Sequence, residues 1–587
     1  MKLLAGMLRK YWLFALLASA FMIAEVFVDL WQPRMMAVIV DEGILGLNSG
    51  GVSDVGLILS TGLRMLLVVL LGGLCGILSG AFSNYTGQNY GNDIRKALFR
   101  KIMHFSFEQT DAFSTGSLIT RITNDVTQIQ QLVMQLIRGF VRCLMFFIGG
   151  TTALLSLDLS FGVIAACAFP LILIDIIFVV WRTNPLFTLL QESLDRLNRI
   201  IQEDVNGIRV VKAFVQEKRE EKRFEQANGE LVSTQFNVQM MLSFLRPVMN
   251  IVLNLAVVGI IYVGSVQVQK GDLAPGAVMA AITYISQILN GMMMLAMIFQ
   301  TLSRGLASAR RVREVLVSEP TLLPGTGEKR GSAEEQPPVA VSFRNVSFAY
   351  SNNGKKVLRN ICLEIRRGET LAVIGTTGSG KTTLVSLIPR FYDAEEGSVL
   401  VDGVDVRDWD LRQLRERVTV CLQKSELFST TIRDNIAAGR RGASPEELEA
   451  AARAAQADEF IRQQPQGYDT AVAEGGMSLS GGQRQRIAVS RALLKGGEIL
   501  IFDDSTSALD LKTEARLYEA LRRDYAGITQ IIVAQRIASV RNADRIAVLE
   551  DGRLSACGSH EELMRTSAVY RDIYDSQLKK SGGEGEA

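Results

Sequence analysis

The stretch GTTGSGKT, residues 375–382, decides how the second half of the chain folds. It follows Leu371–Ile374, which predicts a buried strand, and precedes Thr383–Ile388, which predicts a helix. Its glycines would let backbone N–H groups close around phosphate oxygens, with Lys381 reaching the β- and γ-phosphates and Thr382 ligating Mg²⁺. The residues expected to form this phosphate loop are Gly375, Thr376, Thr377, Gly378, Ser379, Gly380, Lys381, Thr382 and Thr383.

Two more motifs follow downstream. The segment 479–483 precedes a helical run, and its small residues suit a second phosphate contact on a different surface; it consists of Leu479, Ser480, Gly481, Gly482 and Gln483. The apolar run 498–502 then ends in Asp503 and Asp504. The first carboxylate suits Mg²⁺ and the second suits a base that activates water.

The first half of the chain is a membrane domain by composition. Hydrophobic residues make up 48% of the 587-residue chain, and they concentrate before about Phe299. Six apolar runs are long enough to predict spanning helices, several with charged cytosolic extensions: Tyr11–Val40, Met65–Phe82, Cys143–Leu157, Phe161–Trp181, Ile251–Gly264 and Ala277–Phe299. The first run continues well past a possible cleavage site at 18–20, which favours a retained helix over a signal peptide.

The distribution of charge predicts orientation and domain limits. Lys and Arg are concentrated in the second-to-third and fourth-to-fifth connections, which predicts that these connections and both termini lie in the cytosol. The chain is therefore expected to be a multi-pass protein of the cytoplasmic membrane. Residues 318–338 are rich in Pro, Gly and Glu and predict a linker. We therefore expect a transmembrane domain over 1–317 and an α/β P-loop nucleotide-binding domain over 339–587.

The ordered motifs resemble those of ABC ATPase domains: the Walker A loop, Gln423, LSGGQ, the Walker B strand, and a contact loop with Asp510. With the six-helix domain, nearly the whole chain resembles an ABC exporter half-transporter. The resemblance implies ATP and Mg²⁺ as ligands, with Thr382, Gln423 and Asp503 near the metal. It also implies adenine stacking on Tyr350 and a second half-transporter, whose phosphate loop would face the LSGGQ of this chain.

The resemblance further implies two coupling segments, near Phe113–Asp125 and Gly207–Phe214.

At two positions this sequence departs from the catalytic residues of the family. Asp504 stands where the family has a catalytic Glu, and Gln535 stands where it has a switch His. Both changes spare ATP binding and weaken hydrolysis, since Asp is one methylene shorter and Gln cannot become cationic. This pattern resembles the degenerate-site subunit of heterodimeric bacterial multidrug exporters. Neutral drift in a homodimer is the alternative explanation of the same two substitutions.

Bulk properties exclude several other classes. The net charge of +2 gives no reason to expect nucleic acid as a partner, and neither the six scattered cysteines nor the two histidines form a metal motif. Ionisable residues inside apolar runs either pair with one another or with groups on neighbouring helices, or they contact an amphipathic substrate; these are Glu25, Asp29, Arg34 and Asp175.

Three functions remain open from sequence. The leading one is export of amphipathic drugs or lipids across the bilayer by a heterodimer. The others are a homodimeric lipid or peptide flippase and an ATP-gated channel or regulatory subunit.

Overall fold

The computed structural model describes residues 2–48, 50–320, 322, 325, 337–350 and 354–582. The chain divides into two compact units, Met1–Met103 with Thr115–Ser318, and His104–Ser114 with Glu319–Ala587. Most of the predicted linker, residues 318–338, lies outside the described residues.

The regular structure described in the first unit consists of helices. Among the described residues, six helical stretches are long and apolar enough to cross a membrane: Leu3–Ile44, Val55–Met103, Thr115–Leu157, Leu159–Asn206, Glu217–Lys270 and Pro275–Val317. Each contains one of the six predicted spans and extends beyond it by one or more turns. The protein is therefore a multi-pass membrane protein, with helices that are 42 to 54 residues long.

Several of these stretches are interrupted by wider π-helical turns or short breaks. The helical segments are Lys2–Leu8, Trp12–Val38, Ile39–Ile44 (π), Val55–Met103, Thr115–Thr120, Arg121–Asp125 (π), Val126–Gln135, Leu136–Phe140 (π), Val141–Leu157, Leu159–Asn206, Ile208–Ala213, Glu217–Ser243, Leu245–Lys270 and Pro275–Val317. The break at Phe244 falls three residues before Pro247, which has no backbone N–H to continue the preceding helix. By contrast, Trp12–Val38 passes through Pro33 without interruption.

Side chains from five of the spans form the core of the first unit, and fully buried members include Val26, Phe161, Ile260 and Tyr284. The Tyr284 hydroxyl donates to the Leu30 carbonyl over 2.8 Å, which satisfies the one polar atom of this buried side chain.

The second unit contains two sheets. The strands are β1 (Val339–Ala349), β2 (Lys356–Arg366), β3 (Thr370–Gly375), β4 (Glu396–Val401), β5 (Val404–Asp405), β6 (Val418–Cys421), β7 (Ile499–Asp503), β8 (Thr529–Val533), β9 (Arg545–Glu550) and β10 (Arg553–Gly558). One sheet has the antiparallel order β2-β1-β4-β5, and the other has the order β10-β9-β3-β8-β7-β6. In the larger sheet β6, β7, β8, β3 and β9 run parallel, and only β10 is antiparallel to its neighbour.

Helices cover both faces of the larger sheet. The α-helices that follow β3 in this unit are Lys381–Ser386, Leu411–Arg417, Ile432–Ala437, Pro445–Ala454, Asp458–Arg462, Gly481–Lys495, Leu511–Asp524, Ile537–Val540, His560–Thr566 and Ala568–Gly582, and some of them pack on other helices instead of on the sheet. Successive residues of a strand point to opposite faces, so Leu500 and Phe502 enter one core while Ile499 and Ile501 enter the other. Burial on both faces explains why the sequence of β7 is continuously apolar.

A short helix, Phe107–Ala112, belongs to this second unit although it lies between two membrane helices in sequence. Phe107 stacks on Phe391 with ring centroids 4.1 Å apart, and the Tyr392 hydroxyl donates to Asp111 over 2.6 Å. The predicted coupling segment began at Phe113, whereas these contacts involve residues 107–111. The other predicted segment contains the helix Ile208–Ala213 of the first unit, which has no buried residue.

Candidate functional site

Parallel strands bring the separated motifs to one edge of the sheet. In the ladder, Cys421 pairs with Phe502, and Asp503 pairs with Val533. Since β3 lies beside β8 in the same direction, the carboxyl ends of four strands meet there. A predicted site residue lies within two residues of the end of each strand, which places the phosphate loop, Gln423, Asp504 and Gln535 together.

The phosphate loop depends on glycine at two positions. Gly380 has φ +98°, a left-handed conformation that other residues rarely adopt, and it precedes the helix Lys381–Ser386. At Gly375, a Cβ would lie 2.2 Å from the Leu549 carbonyl oxygen, so no larger residue fits. Lys381 Nζ donates to the carbonyl oxygens of Gly375 and Thr376, each over 2.9 Å, and so draws the loop into a closed curve.

Thr382 and Asp503 form a pair suited to a hard cation. The Thr382 hydroxyl donates to Asp503 Oδ1 over 2.9 Å, and Asp503 is buried. Burial raises the pKa of Asp503, and the hydrogen bond from Thr382 opposes that rise. Burial lowers the pKa of Lys381, while the charges of Asp503 and Asp504 act in the other direction.

These residues fit Mg-ATP. The buried Ser379 Oγ has no hydrogen-bond partner within the described part of the chain, so the loop retains a free hydroxyl for a phosphate oxygen. A hydroxyl and one or two carboxylates, completed by waters and phosphate oxygens, are the ligands Mg²⁺ prefers. Thr382 and Asp503 would hold the ion, and Mg²⁺ when bound neutralises phosphate charge.

The two unusual residues of the site contact each other. Gln535 Nε2 donates to Asp504 Oδ2 over 2.9 Å, and Gln423 Nε2 donates to the same oxygen over 3.3 Å. Asp504 is buried and has φ +47°, a conformation that Asp tolerates better than most residues. One carboxylate oxygen therefore accepts hydrogen bonds from both amides.

Tyr350 lies at the edge of the phosphate loop. Its hydroxyl is 3.0 Å from Thr383 Oγ1, and its ring makes edge contacts with Phe348 and Tyr392, with centroids 4.9 and 5.3 Å away. This aromatic cluster fixes the tyrosine beside the loop, and its stacking on adenine remains a prediction.

The segment 479–483 begins a helix. Ser480 Oγ accepts from the Gln483 N–H, and Gln483 Oε1 accepts from the Ser480 N–H, forming a capping box for Gly481–Lys495. A Cβ on Gly482 would lie 3.0 Å from the Ala508 carbonyl oxygen, so this glycine allows a close approach of two loops. In the described residues, no hydrogen bond or ion pair joins 479–483 to the phosphate loop.

Asp510 caps the next helix. Its carboxylate accepts from the Thr513 N–H over 2.9 Å at the start of Leu511–Asp524, and the same hydrogen bonds lower the pKa of Asp510. The carboxamide of Gln485 ties this segment to the capped helix, since it donates to Ser507 Oγ and accepts from the Ala508 N–H.

Sequence reasoning missed Gln577, on the C-terminal helix Ala568–Gly582. Its Nε2 donates to the Gln535 carbonyl oxygen over 2.7 Å, and its Oε1 accepts from the Ile537 N–H over 2.8 Å. Tyr570, Ile573 and Tyr574 pack the same helix against the core. Their spacing with Gln577 is i, i+3, i+4, i+7, so an apolar stripe that ends in an amide was the available signal.

Two of the four predicted membrane charges, Glu25 and Asp29, form ion pairs in the described structure. Arg142 lies 3.5 Å from both Glu25 and Asp29, and Arg34 donates to Ser156 Oγ over 2.5 Å. Asp175 Oδ2 is buried without a hydrogen-bond partner in the described residues. Pairing with a neighbouring helix, one of the two sequence interpretations, therefore describes Glu25 and Asp29.

Six membrane helices joined to a P-loop ATPase unit with these motifs define an ATP-driven membrane transporter. The family models agree: residues 13–292 match the ABC transporter transmembrane region, and residues 358–507 match the ABC transporter ATPase model. The chain belongs to the ABC transporter family, as an exporter half-transporter with an ABC-type ATPase coupled to transport.

Similar proteins cover nearly the whole chain. An uncharacterized ABC transporter ATP-binding protein of Bacillus subtilis, YfiB, is 36% identical, covering 98% of each chain. An ATP-dependent lipid A-core flippase of Syntrophus aciditrophicus is also 36% identical, over 88% of this chain and 85% of its own. The structure of a bacterial Atm1-family ABC exporter with ATP bound aligns with a TM-score of 0.76 at 27% identity, covering 97% of this chain and 99% of that one.

Proposed function

We propose that this chain is the slow-site half of a heterodimeric exporter that moves amphipathic drugs or lipids out across the bacterial cytoplasmic membrane. Both termini and the long helical connections would lie in the cytosol, as the placement of Lys and Arg indicates. Its own phosphate loop would bind Mg-ATP and hydrolyse it slowly. Its LSGGQ segment would complete a competent site on the partner.

The contact between Asp504 and Gln535 carries the proposal. A water that attacks the γ-phosphate must lose a proton to a nearby base. Asp504 Oδ2 already accepts from two amides, and the Asp side chain is about one methylene too short to reach where a Glu would act. A misplacement of about 1 Å can cost roughly 100-fold in rate.

The residues expected to bind ATP and Mg²⁺ match the family pattern, unlike the two catalytic positions. Lys381, Thr382 and Asp503 keep the contacts that suit phosphate and Mg²⁺. Ser480 keeps its helix cap, and Gly482 its close approach to Ala508. A chain that retains binding and the signature while losing catalytic residues fits a role in which turnover belongs to the partner.

This division predicts the composition of the partner. A dimer needs one site that completes hydrolysis, because bound ATP would otherwise hold the ATPase domains together. We therefore expect a partner half-transporter with Glu and His at the positions matching Asp504 and Gln535. Its own signature is expected to be altered, because it would face the slow site.

A homodimeric lipid flippase is the second candidate. It is favoured by the relatives named as lipid A-core flippases, of which the one from Syntrophus aciditrophicus is 36% identical. A putative multidrug export ATP-binding/permease protein of Bacillus subtilis, YgaD, is 33% identical over 94% of this chain, so relatives alone do not choose between lipid and drug.

ATPase turnover of the purified chain separates the two candidates. Without a partner chain, each ATP site contains Asp504 and Gln535. The purified chain should therefore bind Mg-ATP and hydrolyse it very slowly. Measured in parallel, Asp504→Asn serves as the matched control that removes the carboxylate charge. Rapid turnover by the wild-type chain that is lost in Asp504→Asn would contradict the slow-site proposal and favour a homodimer.

A further inference from the structure

A cavity of about 500 Å³ lies within the first unit and carries an unusual set of charges. Two arginines of the third span, Arg138 and Arg142, line it. Of the described residues that line the cavity, none is a carboxylate. The described lining therefore carries two guanidinium groups and no carboxylate within a membrane domain.

The two arginines have different partners. Arg142 contacts Glu25 and Asp29 of the first span, each at 3.5 Å, so two carboxylates share one guanidinium. Among the described residues, these are the carboxylates that form an ion pair with Arg142. Arg138 is half-buried and has no ion pair or hydrogen bond in the described part of the chain. A guanidinium held in this environment without an anion is costly, so Arg138 has an unmet requirement for negative charge.

The neighbouring helices make room for this cluster. A Cβ on Gly80 would lie 3.3 Å from Arg138 Nη1, and one on Gly76 would lie 2.9 Å from Glu25 Oε2. Both glycines are on the second span, four residues apart, so one face of that helix accommodates both charges. Arg138 itself lies in the π-helical turn Leu136–Phe140, a distortion often found at functional sites.

The rest of the lining suits an apolar ligand body. Met22, Met134 and Met294 contribute flexible, polarizable side chains from three different spans. Gln135 adds a neutral hydrogen-bonding group beside the arginines. A volume of this size is typical of small-molecule sites.

We propose that this cavity binds amphiphiles with an anionic headgroup, such as a phosphate monoester or a carboxylate, through Arg138. Arg142 is already paired with Glu25 and Asp29, so Arg138 is the cation of the lining that lacks a carboxylate partner in the described structure. A guanidinium offers paired N–H donors that match the oxygens of phosphate or carboxylate. The proposal rests on the proposed function, in that it narrows the amphipathic substrate to an anionic one.

Equilibrium binding to the assembled transporter tests this assignment without ATP. The probes are a fluorescent dodecyl phosphate and the matching dodecyl trimethylammonium compound, which share one chain length and differ in headgroup charge. Wild type should bind the phosphate probe about tenfold or more tightly than the cationic one. Arg138→Gln should abolish that preference, and Arg138→Lys should retain part of it.

Arg64→Gln is the matched control, because Arg64 is an exposed cation on the second span that does not line the cavity. It should bind both probes as wild type does. Equal phosphate binding by wild type and Arg138→Gln, or a wild-type preference for the cationic probe, would overturn the proposal. These binding measurements contain no ATP and do not depend on the rate of hydrolysis. A fast ATPase would therefore refute the slow-site proposal without contradicting the anion site.

A second arm identifies the source of the anion. The binding is repeated in nanodiscs of phosphatidylcholine alone and of phosphatidylcholine with phosphatidylglycerol. Competition by phosphatidylglycerol in wild type, absent in Arg138→Gln, supports a lipid headgroup as the ligand. Probe binding that depends on Arg138 and is unaffected by phosphatidylglycerol supports a soluble anionic amphiphile.

Discussion

Gln535 donates from Nε2 to Oδ2 of Asp504 over 2.9 Å, so the two residues that depart from the family pattern form one hydrogen-bonded pair. Gln423 donates to the same oxygen. Residues in direct contact couple energetically, and the effect of changing one depends on the other. Asp504 and Gln535 are therefore best treated as a unit.

Restoring the family residues should act cooperatively. We expect Asp504→Glu with Gln535→His to raise the ATPase rate of the assembled transporter by about tenfold to 100-fold. The gain should exceed the product of the single-variant effects, because each single change leaves one residue of the old pair in place. Steady-state ATPase assays of both singles and the double variant measure this coupling.

Asp504→Asn with Gln535→His is the control, since it restores the histidine without a carboxylate base, and it should show no gain. The partner must carry an intact signature for the assay to report on the restored site. A double variant that matches wild type in such an assembly would refute the idea that these residues limit hydrolysis.

Gln577 contacts the backbone of the segment that carries Gln535, so it can be varied without changing the Asp504–Gln535 pair. Its carboxamide bridges the Gln535 carbonyl and the Ile537 N–H, holding the backbone on both sides of Arg536. In the restored double variant, Gln577→Ala should lower kcat about tenfold through loss of these hydrogen bonds, with KM for ATP little changed. Gln577→Glu keeps the acceptor for the Ile537 N–H but sets a carboxylate oxygen against the Gln535 carbonyl oxygen, so it should not restore kcat.

Ser576→Ala is the matched control on the same helix, because Ser576 is exposed and its hydroxyl donates only to the Ile573 carbonyl. Its kcat should equal that of the parent. An equal fall in kcat and thermal stability across the Gln577 variants would indicate a purely structural role.

The sequence predicted those parts of the structure that depend on local pattern. Apolar runs located the six spanning helices, and short, mostly apolar runs located β3, β7 and β8. Parallel pairing then brings Asp503 to the level of Val533, as expected from motifs that follow buried strands. Local pattern was sufficient because each motif is short and directly follows its strand.

Contacts between distant residues could not be predicted. Arg142 pairs with Glu25 across more than 100 positions, and Gln577 reaches Gln535 across 42. No periodicity in one segment specifies which side chain of another segment it will meet. The same limit applies to the stacking of Phe107 on Phe391, which depends on tertiary packing.

Acidification should weaken Mg²⁺-dependent nucleotide binding at a higher pH than it would if Asp503 had the pKa of an ordinary aspartate. Burial raises the pKa of Asp503 above its usual 3.8, so its protonated form is reached at a higher pH during acidification. The proton and Mg²⁺ compete for this carboxylate, and affinity should fall as pH approaches that raised pKa. Titration of a fluorescent ATP analogue with and without Mg²⁺ across the acidic range measures the effect.

Asp503→Asn should bind the analogue weakly and lose this pH dependence, while ATP binding without Mg²⁺ changes little. Asp524→Asn is the control, because Asp524 pairs with Arg523 on the surface and its pKa is lowered. An unchanged pH profile in Asp503→Asn would assign the titration to another group.

The last prediction separates the two ATP sites of the proposed heterodimer. Ser480 caps its helix, and its side chain would face ATP held by the partner. Asn and Asp both serve as N-caps, so Ser480→Asn and Ser480→Asp preserve the helix while only the second adds negative charge near phosphate. Ser480→Asp should therefore cripple turnover of the co-expressed pair, by about 100-fold, and Ser480→Asn should cost far less.

Lys381→Ala should have a different signature in the same pair. Lys381 belongs to this chain's own phosphate loop, which is the slow site under the proposed function, and it donates to the carbonyl oxygens of Gly375 and Thr376. Its loss should shorten nucleotide retention at that site, measured by release of a labelled ATP analogue, and reduce turnover modestly. If Lys381→Ala abolished turnover while Ser480→Asp retained it, the competent site would be the one built on this chain, because the residue whose loss stops hydrolysis must lie where hydrolysis occurs.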